Sequence, residues 1–309
     1  MTFKLYTKLS LGILFSSILL IIGVNYLWNP YGLFGNVKGK EIKIIEYEKS
    51  SKYLMSFNYI PQNFEGLLVG PSLSANLNTK NIKDYKIYNI SMAGANISEL
   101  KMAVNNVIKF GNLKFIIFCL DPYLTKDYGM KSSQINIKEY WGSLGSINTI
   151  KLLKANLNKK KQFEDSTYGY NNFNLKKKKL EPKEEMLKSL EKIKSGKSKF
   201  YDLNEKALKE MHELIKYAES KNIKLFAYIY PRYYEVYNLQ KEKYDVIYKK
   251  QTSLFNNNLT FFNFNDSKFD KLRKNYNSYS DGSHLSDNGA KMVLEEIEFQ
   301  LNKYYKSNK

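Results

Sequence analysis

The chain is poor in the residues that carry most metal and redox chemistry. It holds one cysteine, Cys119, and two histidines, His212 and His284, among 309 residues. A lone thiol excludes an internal disulfide framework and any multi-cysteine zinc site. Two imidazoles leave no room for a histidine-rich metal centre, and no cofactor or metal is expected. No charged residue occurs between Lys8 and Lys38, and no alanine before Ala75. Within that gap Leu9–Trp28 is almost continuously apolar and about the ~20 residues that cross a bilayer. Tyr26 and Trp28 stand at its far end, where amphipathic rings favour the lipid–water boundary. A cleaved signal peptide is the rival, but no small-x-small cleavage site follows. The expectation is therefore a cytoplasmic end over 1–8, an anchor over 9–28 and a juxtamembrane connector over 29–60. Lys4, Lys8 and the terminal amine outweigh the net +1 of residues 29–50, which places the large domain outside the cytoplasm.

What is abundant is positive charge and aromatic area. Lys and Arg number 49 against 30 Asp and Glu, a net of +19, and aromatics are 15% of the chain. The hydrophobic fraction of 43% is enough for a packed core. Charge alone admits a nucleic-acid ligand, yet no nucleic-acid motif is present and the expected location keeps the domain from cytoplasmic DNA. Attraction to an anionic envelope polymer or to lipid head groups accounts for the charge more simply. Residues 151–200 alone contribute fifteen Lys against six acids, including the row Lys176–Lys179. The stretch 125–200 reads as an insert in a domain spanning 61–309.

Outside that insert, short apolar runs alternate with amphipathic helices. Gly66–Gly70, Lys86–Ile90, Leu113–Leu120, Ile223–Tyr230 and Leu259–Phe264 read as strands. Helices are expected over Ile97–Phe110, Leu203–Lys221, Leu239–Phe255 and from Asp287 onward. Such alternation implies an α/β fold with a parallel sheet covered on both faces. Ligands of these sheets bind outside the carboxyl ends of the strands.

Two strand-end loops hold reactive residue types. Gly70-Pro71-Ser72-Leu73-Ser74 offers a hydroxyl at a sharp strand-to-helix turn, or a helix cap through Ser72 or Ser74. Asp281-Gly282-Ser283-His284 precedes the closing helix. The aspartate can fold back on the ring and fix its tautomer, or the segment is a surface turn with Ser286 as cap. His212 lies among Glu210 and Glu213 and reads as a solvated helix residue, and Cys119 as an inert buried thiol. Arg232, after the fourth strand, is placed to meet an anionic substrate, with ordinary surface exposure as the alternative.

Taken together, the serine after the first strand, Tyr88-Asn89-Ile90-Ser91-Met92-Ala93-Gly94-Ala95 after the second and the Asp-x-x-His before the last helix resemble the SGNH (GDSL-like) hydrolase superfamily. The resemblance spans roughly 64–124 and 203–303. It implies a flavodoxin-like three-layer fold, with Ser72 as nucleophile, His284 as base and Asp281 as its orienting partner. The N–H groups of Ser72 and Gly94 would be oxyanion donors. Pro71 stands where the family carries aspartate, and Leu120-Asp121-Pro122-Tyr123 lacks the family's asparagine. A carboxylate would repel an oxyanion, so Asp121 receives no donor role. Membrane-anchored relatives in cell-envelope acylation systems also lack that asparagine, and the chain resembles those most. They imply an esterase or O-acyltransferase acting on an envelope glycan, teichoic acid or lipid-linked oligosaccharide, working beside a multi-spanning acyltransferase partner. The alternative is a non-catalytic protein of the same fold that binds anionic polymer or such a partner.

Overall fold

The computed structural model describes residues 2–44, 47–126, 135, 138–145, 166–171, 180–198, 200, 202–256 and 259–306. The row Lys176–Lys179 and most of the expected insert lie outside the described residues. Five parallel strands form one sheet: β1 (Gly66–Val69), β2 (Ile87–Asn89), β3 (Phe115–Leu120), β4 (Lys224–Ile229) and β5 (Thr260–Asn263). Their spatial order is β2-β1-β3-β4-β5, with Leu68 in register with both Asn89 and Ile117. The order reverses between β1 and β3, which is where open α/β sheets form their ligand crevice.

The helices are α1 (Phe3–Trp28), α2 (Glu48–Met55), α3 (Tyr59–Asn63), α4 (Ser72–Ala75), α5 (Ile97–Phe110), α6 (Pro122–Thr125), α7 (Glu139–Gly145), α8 (Pro182–Lys194), α9 (Glu205–Ser220), α10 (Tyr234–Leu239), α11 (Lys241–Thr252), α12 (Asp270–Arg273) and α13 (Asp287–Lys306). Side-chain alternation along the strands creates two cores. Leu67, Val69, Ile116 and Phe118 face α5 and α9 through Leu100, Val104, Leu214 and Ile215. Leu68, Ile117, Cys119 and Tyr228 face α13 through Val293, Leu294, Ile297 and Leu301. The helices α5, α9 and α13 each bury one apolar stripe, as their spacing predicts. Local signals fix the ends: Asn96 and Glu99 make a reciprocal capping box on α5, and Asn204 accepts the Ala207 N–H at the start of α9.

Two departures from the sequence reading are instructive. The helix expected over Leu239–Phe255 is shorter, as α11, and a separate short helix, α10, precedes it and ends at Leu239, with Gln240 between them in a non-helical conformation. The stretch 29–60, read as a connector, packs into the core through Val37, Ile44, Tyr53, Met55, Tyr59 and Ile60. By contrast, α1 leaves residues 3–20 exposed although it is long and apolar enough to cross a membrane.

Candidate active site

Gly70 ends β1 where the backbone runs against its neighbours. A Cβ there would lie 2.2 Å from Ser74 Oγ and 2.7 Å from Cys119 Cβ, so only glycine fits. Pro71 then occupies the N-cap of α4 and Ser72 its first helical position. Neither Ser72 nor Ser74 is the cap, contrary to the capping alternative. A proline with φ −77° is compatible with that place, and its missing N–H costs nothing at a helix start. The Ser74 hydroxyl is turned inward, 2.9 Å from Ser91 Oγ and 3.1 Å from the Pro71 carbonyl. Ser72 is left at the rim.

The loop before α13 brings the imidazole to it. His284 Nε2 lies 3.2 Å from Ser72 Oγ, and its Nδ1 lies 2.8 Å from Asp281 Oδ2. The other Asp281 oxygen accepts the backbone N–H groups of Ser283 and His284, both at 2.7 Å. Burial of Asp281 alone would favour its neutral acid. The His284 side chain and these two N–H donors outweigh it and hold the carboxyl at about 2, below its ordinary 3.8. An acceptor at Nδ1 assigns the ring proton there and leaves Nε2 with a lone pair facing the serine. Ser286 also caps α13, its Oγ accepting the Gly289 N–H at 3.3 Å, so the turn serves both roles.

Several residues that pattern reading did not single out hold the two loops together. Asn76 Nδ2 donates to the Leu285 carbonyl at 2.6 Å, tying the serine helix directly to the histidine loop. Tyr230, fully buried, donates from its hydroxyl to the Ser283 carbonyl at 3.1 Å and accepts the Leu285 N–H at 3.0 Å. Asn89 Nδ2 donates to the Ser74 and Leu77 carbonyls at 2.7 and 2.9 Å, while its Oδ1 accepts the Ser91 N–H. The nearest signal in the sequence was position: Asn89 and Tyr230 both lie at the carboxyl ends of strands.

The loop after β2 is clamped from α2. Lys52 is wholly buried, and its ammonium donates to the Ser91 carbonyl and to Glu48 at 2.9 Å. Burial lowers its pKa, and the Glu48 carboxylate opposes that. Glu48 also accepts the Ala93 N–H at 2.8 Å, and Lys49 donates to the Gly94 carbonyl at 2.9 Å. Gly94 has φ +63°, a backbone that favours glycine. Since β1 and β2 are adjacent and parallel, Gly94 and Ser72 leave the sheet at the same edge.

Arg232 is not an ordinary surface residue. Its guanidinium pairs with Asp121, the residue in the place of the absent asparagine, with side chains 12% and 0% exposed. Burial by itself would discharge the guanidinium, yet the Asp121 carboxylate holds Arg232 well above its ordinary range. Asp121 further accepts the Tyr123 N–H at 2.9 Å as the cap of α6. His212 lies on α9, half-buried, away from these loops in the helical setting its neighbours predict. Cys119 is buried, which pushes its thiol up to about 12. Among the described residues no group of three His, Cys, Asp or Glu is placed to hold a metal ion.

No protein-family model and no curated protein matches the chain. Among solved structures it is similar to a chain from Streptococcus pneumonia provisionally described as a platelet activating factor. That match has 11% identity, 98% of this chain and 99% of the other covered, and a TM-score of 0.40. It is also similar to the acetyl xylan esterase AlAXEase, at 10% identity, 75% and 97% coverage and a TM-score of 0.36. Likeness of that extent assigns neither a family nor an activity. The reading of the site rests on its own geometry.

Proposed function

We propose that this chain is a membrane-anchored, extracytoplasmic serine esterase or O-acyltransferase of the SGNH type. The observation that carries the reading is the unbroken hydrogen-bonded line from Ser72 Oγ through His284 to Asp281. A serine hydroxyl is a weak nucleophile until a base takes its proton. His284 Nε2 takes that proton as Ser72 Oγ attacks the ester carbonyl, and Asp281 stabilises the imidazolium that forms. The N–H groups of Ser72 and Gly94 receive the oxyanion. His284 then returns the proton to the departing alcohol as the C–O bond breaks, leaving an acyl group on Ser72. Water or a sugar hydroxyl, deprotonated by the same ring, releases the acyl group and restores the serine. The chemistry draws on no cofactor.

The anchored location takes support from the length and apolar character of α1, and the net charge of +19 favours an anionic or acylated envelope polymer as acceptor, teichoic acid, glycan or lipid-linked oligosaccharide. Arg232 is proposed as a substrate contact at the same rim, and a multi-spanning acyltransferase as donor partner. Fluorophosphonate labelling of the full-length protein in membranes tests the reading. The wild type should label, and Ser72→Ala and His284→Ala should not. Equal labelling of Ser72→Ala, or full activity of that variant on the native polymer, would sink it. A second reading, a polymer-binding protein without catalysis, takes support from the Asp121–Arg232 pair standing where the family places an oxyanion donor. It expects Ser72→Ala to be silent and neutralisation of Lys176–Lys179 to abolish function.

A further inference from the structure

The carboxyl-terminal end of α1 is not free. Residues 21–24 are half-buried and Asn25 is buried, while residues 3–20 stay exposed. What covers that end is α7: Asn25 Nδ2 donates to the Leu144 carbonyl at 2.6 Å, and the two helices pack together. An α-helix rises about 1.5 Å per residue, so Leu9–Trp28 spans about 30 Å, the thickness of a hydrocarbon core. A span beginning beyond Lys8 therefore ends at the level where α7 lies. On α7, Trp141 is 78% exposed, the most exposed large ring outside α1 among the described residues. It stacks edge-on against Tyr140 at 5.1 Å, Tyr140 lies 4.5 Å from Phe57, and Phe57 lies 6.0 Å from the half-exposed Phe110. Lys109 reaches over the Phe110 ring at 5.2 Å.

In water such an aromatic ledge is unfavourable. At a bilayer boundary it is the preferred composition, because tryptophan and tyrosine bury an apolar body and keep a polar tip wet. We infer that α7 and its ring ledge, with Trp141 foremost, rest in the outer interfacial layer of the bilayer that α1 crosses, so that the domain lies on the membrane surface at a fixed height and tilt. The inference rests on the anchor reading and is independent of the hydrolase chemistry. Its occupant is lipid, argued from continuity with the apolar span, and the lysine beside Phe110 suits an anionic head group. Helix α2 packs against α7 and also clamps the Ser91–Gly94 loop, which ties the rim of the site to the membrane-facing element.

The sequence permits a direct test, because the chain has two tryptophans. Trp28→Phe leaves Trp141 as sole reporter, and Trp141→Phe leaves Trp28. Each full-length variant is placed in vesicles of phosphatidylethanolamine and phosphatidylglycerol carrying nitroxide lipids labelled near the glycerol or near the chain ends. Trp141 should lose emission to the shallow label about as strongly as Trp28 does, lose less to the deep label, and resist aqueous iodide. Quenching of Trp28 without quenching of Trp141 overturns the inference and leaves the anchor intact. Protection of Trp141 from iodide without lipid quenching assigns the ledge to a protein and overturns it equally. If neither tryptophan is quenched, the anchor fails and the inference with it. Trp141→Cys carrying a nitroxide gives the same depth by its collision with oxygen against an aqueous relaxant, since the native Cys119 is buried. Should Trp28→Phe fail to fold, that label decides alone, with aqueous collision dominant as the overturning result.

Discussion

Asp281 and Asp121 are two carboxylates on one rim of one sheet, each bound to a basic side chain, yet their settings are opposed. Asp281 is 35% exposed and holds the His284 ring at 2.8 Å. Asp121 is fully buried and holds an arginine, whose charge is permanent. On the function proposed above, the first pair passes a proton and the second stays fixed. A buried ion pair contributes little net stability when intact and costs much when half of it is removed. The sheet edge therefore carries a partly exposed acid–histidine pair beside a buried ion pair.

The comparison is broken most visibly by Asp281→Asn. It should lower turnover about ten-thousandfold, because the amide favours the wrong tautomer of His284, while the variant still folds. Steady-state ester hydrolysis beside calorimetry checks both halves. Asp121→Asn should do the reverse, costing about 3–5 kcal/mol of stability by leaving Arg232 buried without its counter-charge. Chemical denaturation measures it, and the double change Asp121→Leu with Arg232→Met should regain most of the loss if the pair is only structural. Failure of the double variant to hydrolyse ester while folding normally would give Arg232 the substrate contact proposed for it.

Smaller effects sharpen the contrast. Tyr230→Phe removes a hydroxyl that serves Ser283 and Leu285, and should cost about 1–2 kcal/mol and loosen the histidine loop. Faster amide exchange at Leu285 would register it. The smallest effect is pH-dependent. Since folding lowers the Asp281 carboxyl from 3.8 to about 2, its contribution to stability is present above pH 3.8 and is lost as pH falls through about 2. The melting-temperature advantage of the wild type over Asp281→Asn should shrink across that window. An advantage that persisted unchanged at the bottom of it would contradict the carboxylate's hydrogen-bonded state.

Much of the sheet was legible because buried strands are written as local apolar runs. Phe115–Leu120 and Lys224–Ile229 lie inside the runs that announced them, and α13 starts at Asp287 as read. The serine and histidine loops were legible as strand-end segments with reactive residue types. Partnerships across long separations were not. Nothing local to Asp121 points to Arg232, 111 residues away, and nothing in Glu48-Lys49-Ser50-Ser51-Lys52 says that three of its side chains reach the loop after β2. The stretch 29–60 looked like a connector because its apolar residues are scattered among lysines. Burial there is set by what the segment folds against, and its own periodicity does not show it. The short helix α10 over Tyr234–Leu239 is not announced by the apolar pattern, and Gln240 parts it from α11.

The bond from Asn76 to the Leu285 carbonyl closes a loop of 209 residues. Any nascent or truncated chain lacking the stretch beyond residue 280 carries Ser72 without the imidazole that lies 3.2 Å from it in the folded chain. The order of synthesis thus separates the two groups: the Ser72 side chain is made first, and the His284 ring that meets it follows 212 residues later.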